Sequence, residues 1–253
     1  MYIEEEKVIS KISVCLEVGL EATGAFVPDC PGCWVFGQTK ERALQKVRIA
    51  VVEWFKWLKK HGENIPRLRR DFQPDISNKV EMEVAEMLRV NYNPAEAGKP
   101  EPLFWSEVLP VKKDDIKRTI RLMDYSRKDL LKLVSDLTGK QLNFKHPNKP
   151  RTVRNCLKHI AYVEPWYITR LNIESPENYP KDVLELLNYT REMVVNSLSN
   201  LPKEKKRGAF QPGKYKSPIC DLWTARKVLR RLVDHERLHT RYIQKVLKMY
   251  PAM

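Results

Sequence analysis

Towards its C-terminal end the chain reads Asp234-His235-Glu236-Arg237-Leu238-His239-Thr240, with two histidines four residues apart. On an α-helix this spacing puts both imidazoles on one face. Apolar residues recur around the pair every three or four positions, which predicts a helix over about 219–248 with this face turned towards a core. The apolar positions are Leu222, Ala225, Leu229, Leu232, Ile243 and Val246. The segment therefore predicts two inward-pointing histidines.

Three further helical segments precede this one, at about 112–137, 151–172 and 179–200, with short breaks between them. Long amphipathic helices joined in this way predict a four-helix bundle. His159 lies at the edge of the apolar stripe of the second segment, so three inward histidines from two helices could supply three nitrogen ligands and leave one coordination position open. In the alternative interpretation, each is a core histidine that forms a hydrogen bond with a neighbour.

The segment from His235 to His239 also matches the zinc-protease pattern H-E-x-x-H, in which the glutamate is the general base. Two features count against a protease. Arg237 places a charge at a position of the motif that is usually uncharged. In addition, no histidine, aspartate or glutamate follows His239 in the sequence to act as a third ligand.

The C-terminal half resembles the DinB-like family of metal-binding four-helix bundles, from near Pro110 to Tyr250. The similarity is carried by the histidine pair and by Asn155-Cys156-Leu157-Lys158-His159-Ile160-Ala161-Tyr162-Val163-Glu164-Pro165-Trp166-Tyr167. The resemblance implies a divalent metal, zinc or nickel, bound by His159, His235 and His239. Some relatives are transferases or isomerases that use a low-molecular-weight thiol, and many have no assigned activity.

Three residues near His159 are candidates for a supporting role around the metal. Cys156 is one turn before His159, where it either ligates or crowds the site or is simply a small core residue. Tyr162 and Glu164 are candidate partners of the metal ligands or a pair on the helix surface.

The first 90 residues alternate short β-type runs with turn residues and then contain one helix. Val8–Val14, Ala22–Val27 and Trp34–Phe36 are the predicted strands, and Thr39 is the predicted N-cap of a helix that ends near His61-Gly62. The segment 80–90 is predicted to form a further strand or a short helix. A β-β-β-α-β module results.

This module resembles the HicB-like antitoxin fold over roughly residues 5–90. The matching segments are Pro28-Asp29-Cys30-Pro31-Gly32-Cys33, Gly37-Gln38-Thr39, Glu41-Arg42-Ala43 and Gly62-Glu63-Asn64-Ile65-Pro66. The resemblance implies a toxin-neutralising, dimerising or ligand-sensing module. The Cys-x-x-Cys spacing by itself also fits a redox pair, but Pro31-Gly32 favours a turn and a strand follows it.

The chain carries a formal charge of +14, and the excess lies outside residues 1–65, which hold nine basic and nine acidic side chains. A candidate basic patch follows the third bundle helix and comprises Lys203, Lys205, Lys206, Arg207, Lys214 and Lys216. Arg226, Lys227, Arg230 and Arg231 extend it onto the last helix. Such a patch can neutralise the phosphates of nucleic acid, attract an anionic substrate, or simply be a solvated face.

Taken together, the sequence predicts an α+β module at 1–92, a linker at 93–110 and an all-α four-helix bundle at 111–253. The absence of a long apolar run and the few, odd-numbered cysteines favour a cytoplasmic protein with no membrane contact. We expect a homodimer that binds a divalent metal and acts as a thiol transferase or isomerase on an anionic small molecule. The alternative is a non-enzymatic, antitoxin-like regulator that binds a protein partner or nucleic acid.

Overall fold

The structure is a computed structural model that describes residues 10–63, 80–96, 98–212 and 221–251. The chain divides into two compact units, residues 1–106 and 107–253, and the division falls inside the predicted linker. The predicted strand start at Val8 and the HicB-type residues 64–66 lie outside the described residues.

Unit 1 is a four-stranded sheet with one helix, and the predicted β-β-β-α-β order is confirmed. The strands are β1 (Ser10–Val18), β2 (Thr23–Phe26), β3 (Val35–Gly37) and β4 (Val80–Arg89), and the helix is α1 (Lys40–Lys60). The strand order is β3-β2-β1-β4, with β4 parallel to β1 and the other pairs antiparallel. Residues 80–90 thus form a strand rather than a short helix.

Helix α1 begins as predicted at the N-cap Thr39, whose side chain accepts a hydrogen bond from the backbone N–H of Arg42 at 3.3 Å. An N-cap of this kind satisfies one of the backbone donors that a helix leaves open at its start. The buried side chains of α1 recur every three or four residues and form the core of unit 1; they are Ala43, Val47, Ala50, Val51, Trp54, Phe55, Trp57 and Leu58.

The Cys-Pro-Gly-Cys segment is a turn packed against α1. The backbone N–H of Cys33 donates to the carbonyl of Cys30 at 3.0 Å, and Gly32 has φ +100°, a conformation that favours glycine. The Cys33 thiol donates to the carbonyl of Ala50 at 3.4 Å, and the Trp54 indole donates to that of Pro31 at 2.7 Å. Both cysteines are fully buried and neither is in a disulfide, so the turn is part of the core.

Unit 2 contains four long helices, α3 (Lys113–Val134), α5 (Val153–Thr169), α6 (Val183–Ser199) and α7 (Ala225–Lys248). Two short helices accompany them, α2 (Trp105–Val108), where the chain passes from unit 1 to unit 2, and α4 (Gly139–Asn143). The predicted start of α7 at 219 is six residues too early, because the Thr224 side chain caps the helix by accepting from the N–H of Lys227. No described helix is long and apolar enough to cross a membrane.

The four long helices form the predicted bundle. Helix α5 packs against α6 and α7, and α3 packs against the same two helices, so the order around the bundle is α3-α7-α5-α6. A buried core of Leu130, Leu157, Ile160, Leu187 and Ile243, with their neighbours, fills the space between them. Because α5 and α7 are adjacent, their facing residues share one seam.

Candidate metal centre

The seam between α5 and α7 brings three histidines together. His235 and His239 lie one turn apart on α7, and His159 faces them from α5. The Nε2 atoms of His159 and His235 are 3.1 Å apart, and one donor atom from each of the three residues lies within 4.8 Å of the others. The ring centroids are separated by 4.4 to 4.9 Å. The three predicted ligands therefore form one cluster, which we call the histidine triad.

The environment of the triad keeps its imidazoles neutral. Burial, followed by the charge of Arg151, lowers the pKa of His159 to about 4. Burial also lowers the pKa of His239 to about 3, with further contributions from His159, Arg151 and Arg231. The pKa of the buried His235 is depressed well below its ordinary value, first by burial and then by the neighbouring histidines. A neutral imidazole keeps a lone pair for a metal, so the triad is ready to ligate near neutral pH.

The geometry of the triad fits a divalent metal. Two nitrogens bound at 2.0–2.1 Å to a tetrahedral zinc are separated by about 3.3 Å, close to the distance between the Nε2 atoms of His159 and His235. The third nitrogen lies within 4.8 Å of the other two, so a shift of about 1.5 Å brings it to the same arrangement. Three imidazoles without a carboxylate suit zinc, nickel or copper better than magnesium or calcium, which prefer oxygen ligands.

Cys156 lies beside the triad without belonging to the group of close donor atoms. Its Sγ is 3.5 Å from Nδ1 of His239, and its side chain is fully buried. Burial raises the pKa of the Cys156 thiol to about 12, so the sulfur stays protonated in the absence of a metal. When Nδ1 of His239 carries the proton and donates it to Sγ, the other nitrogen of the ring is left for a metal.

The other two candidate supporting residues lie elsewhere. Tyr162 is 47% exposed, and its ring packs against Tyr179 at 5.5 Å between centroids. Glu164 is buried and accepts hydrogen bonds from the guanidinium groups of Arg127 and Arg191 and from the hydroxyl of Thr190. These contacts place Glu164 in a second buried polar cluster.

This second cluster, the carboxylate–arginine network, joins all four long helices. It consists of Arg127 from α3, Glu164 from α5, Arg191 from α6 and Glu236 from α7. Arg127 donates to Glu236 at 2.6 Å and to Glu164 at 3.0 Å, and Arg191 donates to both carboxylates. Each guanidinium also donates to a backbone carbonyl, of Leu187 and Met123 respectively.

The network explains the glutamate in the H-E-x-x-H segment. Burial opposes ionisation of Glu236, but the charges of Arg127 and Arg191 hold its pKa below the ordinary value. A carboxylate held ionised by two guanidinium groups is occupied as a structural partner, whereas a general base must be available to take a proton. The structure thus gives Glu236 a role in holding the helices together and offers no support for the protease interpretation.

The predicted basic extension on α7 is largely internal, which corrects its interpretation as a solvated face. Lys227 is fully buried, donates to the carbonyl of Leu222 and lies 4.2 Å over the Trp223 ring. Arg230 pairs with Glu107 and Asp234, and Arg231 is 5% exposed, with its guanidinium 5.6 Å from the centre of the Tyr167 ring.

The loop part of the patch is only partly described. Lys214 and Lys216 lie outside the described residues. Lys203 and Arg207 flank a short 3₁₀ turn that holds Lys205 and Lys206, and the Lys205 ammonium lies 4.8 Å over the Phe210 ring.

Three arginines of unit 2 were not predicted from the sequence, namely Arg127 and Arg191 of the network and Arg151, whose charge acts on the histidine triad. The first two had a usable signal, because each occupies a position in an apolar helical stripe, with Met123 and Leu130 around Arg127 and with Leu187 and Val194 around Arg191. A charge in such a stripe needs an ionised partner inside the bundle. Arg151 precedes α5 in an irregular segment, where no periodicity marks it.

The C-terminal unit is similar to one protein family and to one solved structure. Residues 122–243 match the family model of the DinB superfamily, a segment that begins in α3 and ends in α7. The solved structure of YfiT from Bacillus subtilis, described as a probable metal-dependent hydrolase with an unusual four-helix bundle topology, is 19% identical. That alignment covers 60% of this chain and 94% of YfiT, with a TM-score of 0.44.

The N-terminal unit has a different relative. A 41-residue segment is 46% identical to the UPF0150 protein Ta0767 of Thermoplasma acidophilum, which is HicB-like. The match covers 16% of this chain and 59% of that protein, so the chain spans about three-fifths of the relative's length. Both predicted resemblances, DinB-like and HicB-like, are therefore confirmed.

Proposed function

We propose that this chain, with its DinB-like bundle, binds one divalent metal ion through His159, His235 and His239 and uses it to activate a small nucleophile. The observation that carries the proposal is the convergence of three neutral imidazoles from two helices within 4.8 Å. Zinc or nickel is the metal that these ligands favour. When bound to three neutral ligands, such a cation acts as a Lewis acid that lowers the pKa of a water or a thiol towards neutrality.

The residues of the chain would position the reactants around that ion. His159 and His239 are only partly buried, so one side of the triad is accessible to a small molecule. The carboxylate–arginine network fixes α5 against α7 from within the bundle. It thereby keeps His159 opposite His235 and His239. A thiol transferase in which the nucleophile is a low-molecular-weight thiol is the enzyme class that we propose, and hydrolysis by an activated water is the related alternative.

Metal uptake tests the first step. We expect purified full-length protein, incubated with zinc or nickel and desalted, to retain about one ion per chain, the stoichiometry of a single three-histidine site. His159→Ala and His239→Ala should retain little metal, whereas His146→Ala should match the wild type. His146 is a suitable control because its ring lies outside the triad and accepts a hydrogen bond from Asn148. Equal retention by all variants would refute the site.

Nucleophile activation is tested separately. Metal-loaded wild type and His239→Ala are compared for the rate at which glutathione or cysteine is consumed by 1-chloro-2,4-dinitrobenzene, and for hydrolysis of a nitrophenyl ester. We expect metal-dependent thiol consumption by the wild type and none by His239→Ala. Ester hydrolysis without thiol consumption would instead assign the hydrolytic alternative.

The rival function is a non-enzymatic, antitoxin-like regulator that binds a protein partner or nucleic acid through the HicB-like unit and the basic patch. The resemblance of unit 1 to the HicB-like antitoxin fold favours this role. The burial of Lys227, Arg230 and Arg231 removes three cations from the candidate nucleic-acid surface. Salt-sensitive retention of the protein on DNA or RNA would support the regulator, and light scattering would show whether the chain is the proposed homodimer.

A further inference from the structure

The charged side chains that act on the triad are positive. Asp234 and Glu236 flank His235 in the sequence, but both carboxylates point to arginines elsewhere, Asp234 to Arg230 at 2.6 Å and Glu236 to the carboxylate–arginine network. Among the described residues, the charged side chains that act on the three imidazoles are Arg151 and Arg231. A divalent cation bound here would keep its full charge, and its surroundings would add to that charge.

Arg151 is fixed in place next to the triad. Its backbone N–H donates to the Tyr242 hydroxyl at 3.0 Å, and the same hydroxyl donates to the Arg151 carbonyl at 2.7 Å. Tyr242 follows His239 by three residues on α7, and the two rings are 6.5 Å apart. Thr152, the next residue after Arg151, is the N-cap of α5, the helix that carries Cys156 and His159. The two hydrogen bonds thus hold the start of α5 beside His239.

The Arg151 side chain is not used elsewhere in the described part of the chain. Its guanidinium group forms no hydrogen bond or ion pair with another described residue, and it is only partly buried. Its charge nevertheless reaches the triad, because it contributes to the lowered pKa of each of the three histidines and acts on Cys156 as well. A half-buried cation held close to a ligand cluster by its backbone is well placed to bind a negative group.

We propose that Arg151 anchors the oxyanion group of a small-molecule substrate beside the metal held by His159, His235 and His239. This inference rests on the proposed function and adds the chemical class of the substrate. A guanidinium group presents paired N–H donors that match the two oxygens of a carboxylate or the edge of a phosphate. A metal with neutral ligands only also gains from an anionic partner, because no protein carboxylate compensates its charge.

The anchoring role can be measured without catalysis. The full-length protein is loaded with cobalt(II), whose visible absorption reports on its ligands, and titrated with sodium acetate or sodium phosphate at constant ionic strength. We expect Arg151→Met to weaken anion binding about tenfold, the size of one hydrogen-bonded charge contact. Arg151→Lys, which keeps the charge but not the paired donors, should lie between Arg151→Met and the wild type. Lys145→Met removes an exposed positive charge from the same interhelical loop and should behave as the wild type.

The outcomes separate this inference from the function on which it rests. If the wild type takes up no cobalt(II), both proposals fail. If cobalt(II) binds normally and anions bind equally well to Arg151→Met and the wild type, only the anchoring role is refuted. Loss of cobalt(II) uptake in both Arg151 variants would also refute it, because Arg151 would then support the metal site itself. A stronger effect with acetate than with phosphate would assign the substrate group as a carboxylate, and the reverse as a phosphate.

Discussion

The Nε2 atoms of His159 and His235 lie 3.1 Å apart, although 76 positions separate the two residues in the chain. The proximity results from the packing of α5 against α7, which sets His159 opposite a pair of histidines one turn apart. Neither helix alone supplies three ligands. The histidine triad and the fold of unit 2 are therefore linked, and a ligand that binds the triad must stabilise the bundle.

The first prediction concerns this linkage. Zinc or nickel at a hundredfold excess over its dissociation constant should stabilise the folded protein by about 2.7 kcal/mol, and EDTA should reverse the effect. His235→Ala should remove the metal-dependent shift in the thermal unfolding temperature, whereas His146→Ala should retain it. An equal shift in His235→Ala would mean that the metal stabilises the protein from another site.

The second prediction concerns Glu236. Glu236→Gln leaves the guanidinium groups of Arg127 and Arg191 without one of their two carboxylates, so it should lower the free energy of unfolding by about 3–5 kcal/mol. Metal stoichiometry should be unchanged wherever the variant is folded. Asp124→Asn is the control, because its ion pair with Lys128 is exposed to solvent and contributes little to stability. Urea unfolding measures the free energy of unfolding of both variants. A fully stable but inactive Glu236→Gln protein would instead point to a general base.

The third prediction concerns pH and the metal-free protein. The pKa values of His159 and His239 are lowered to about 4 and about 3, whereas in the unfolded chain each group titrates near 6.5. The unfolded state therefore binds more protons below pH 6.5, and the stability present above that pH is lost as the pH falls. Each such group contributes a slope of about 1.4 kcal/mol per pH unit.

The measurement compares urea unfolding at pH 7 and pH 5 in EDTA, above the range in which ordinary carboxylates titrate. The wild type should lose more stability between these pH values than the double variant His159→Gln/His239→Gln. Parallel pH profiles for the two proteins would show that the histidines are not held neutral by the fold.

The fourth prediction concerns the Cys-Pro-Gly-Cys turn of unit 1. Trp54→Phe keeps an aromatic ring in the core but removes the indole N–H that donates to the Pro31 carbonyl, which should cost about 1–2 kcal/mol. Trp105→Phe is the matched control, because Trp105 is 78% exposed and its loss should have little effect. Denaturation followed by circular dichroism distinguishes the two. Equal stability would mean that the turn does not depend on α1.

Much of the architecture was predictable because helix and strand periodicities are local. The spacing of His235 and His239 is enough to place both residues on one face of a helix. The capping chemistry of Thr39 likewise marks the start of α1. The start of α7 was less predictable, because Leu222 continues the apolar spacing of the helix on the N-terminal side of Thr224, where the cap interrupts it.

The sequence by itself determined the order of the elements, the inward face of the histidines and the two family resemblances, since all of these depend on residues close together in the chain. Only the tertiary structure decided the partners of the charged residues. Glu236 and Arg230 look solvent-exposed or catalytic in the sequence, yet both are buried in ion pairs with residues from other helices. Charge pairing across a bundle depends on the rotation and depth of each helix, which are set by packing and leave no periodic trace in the sequence.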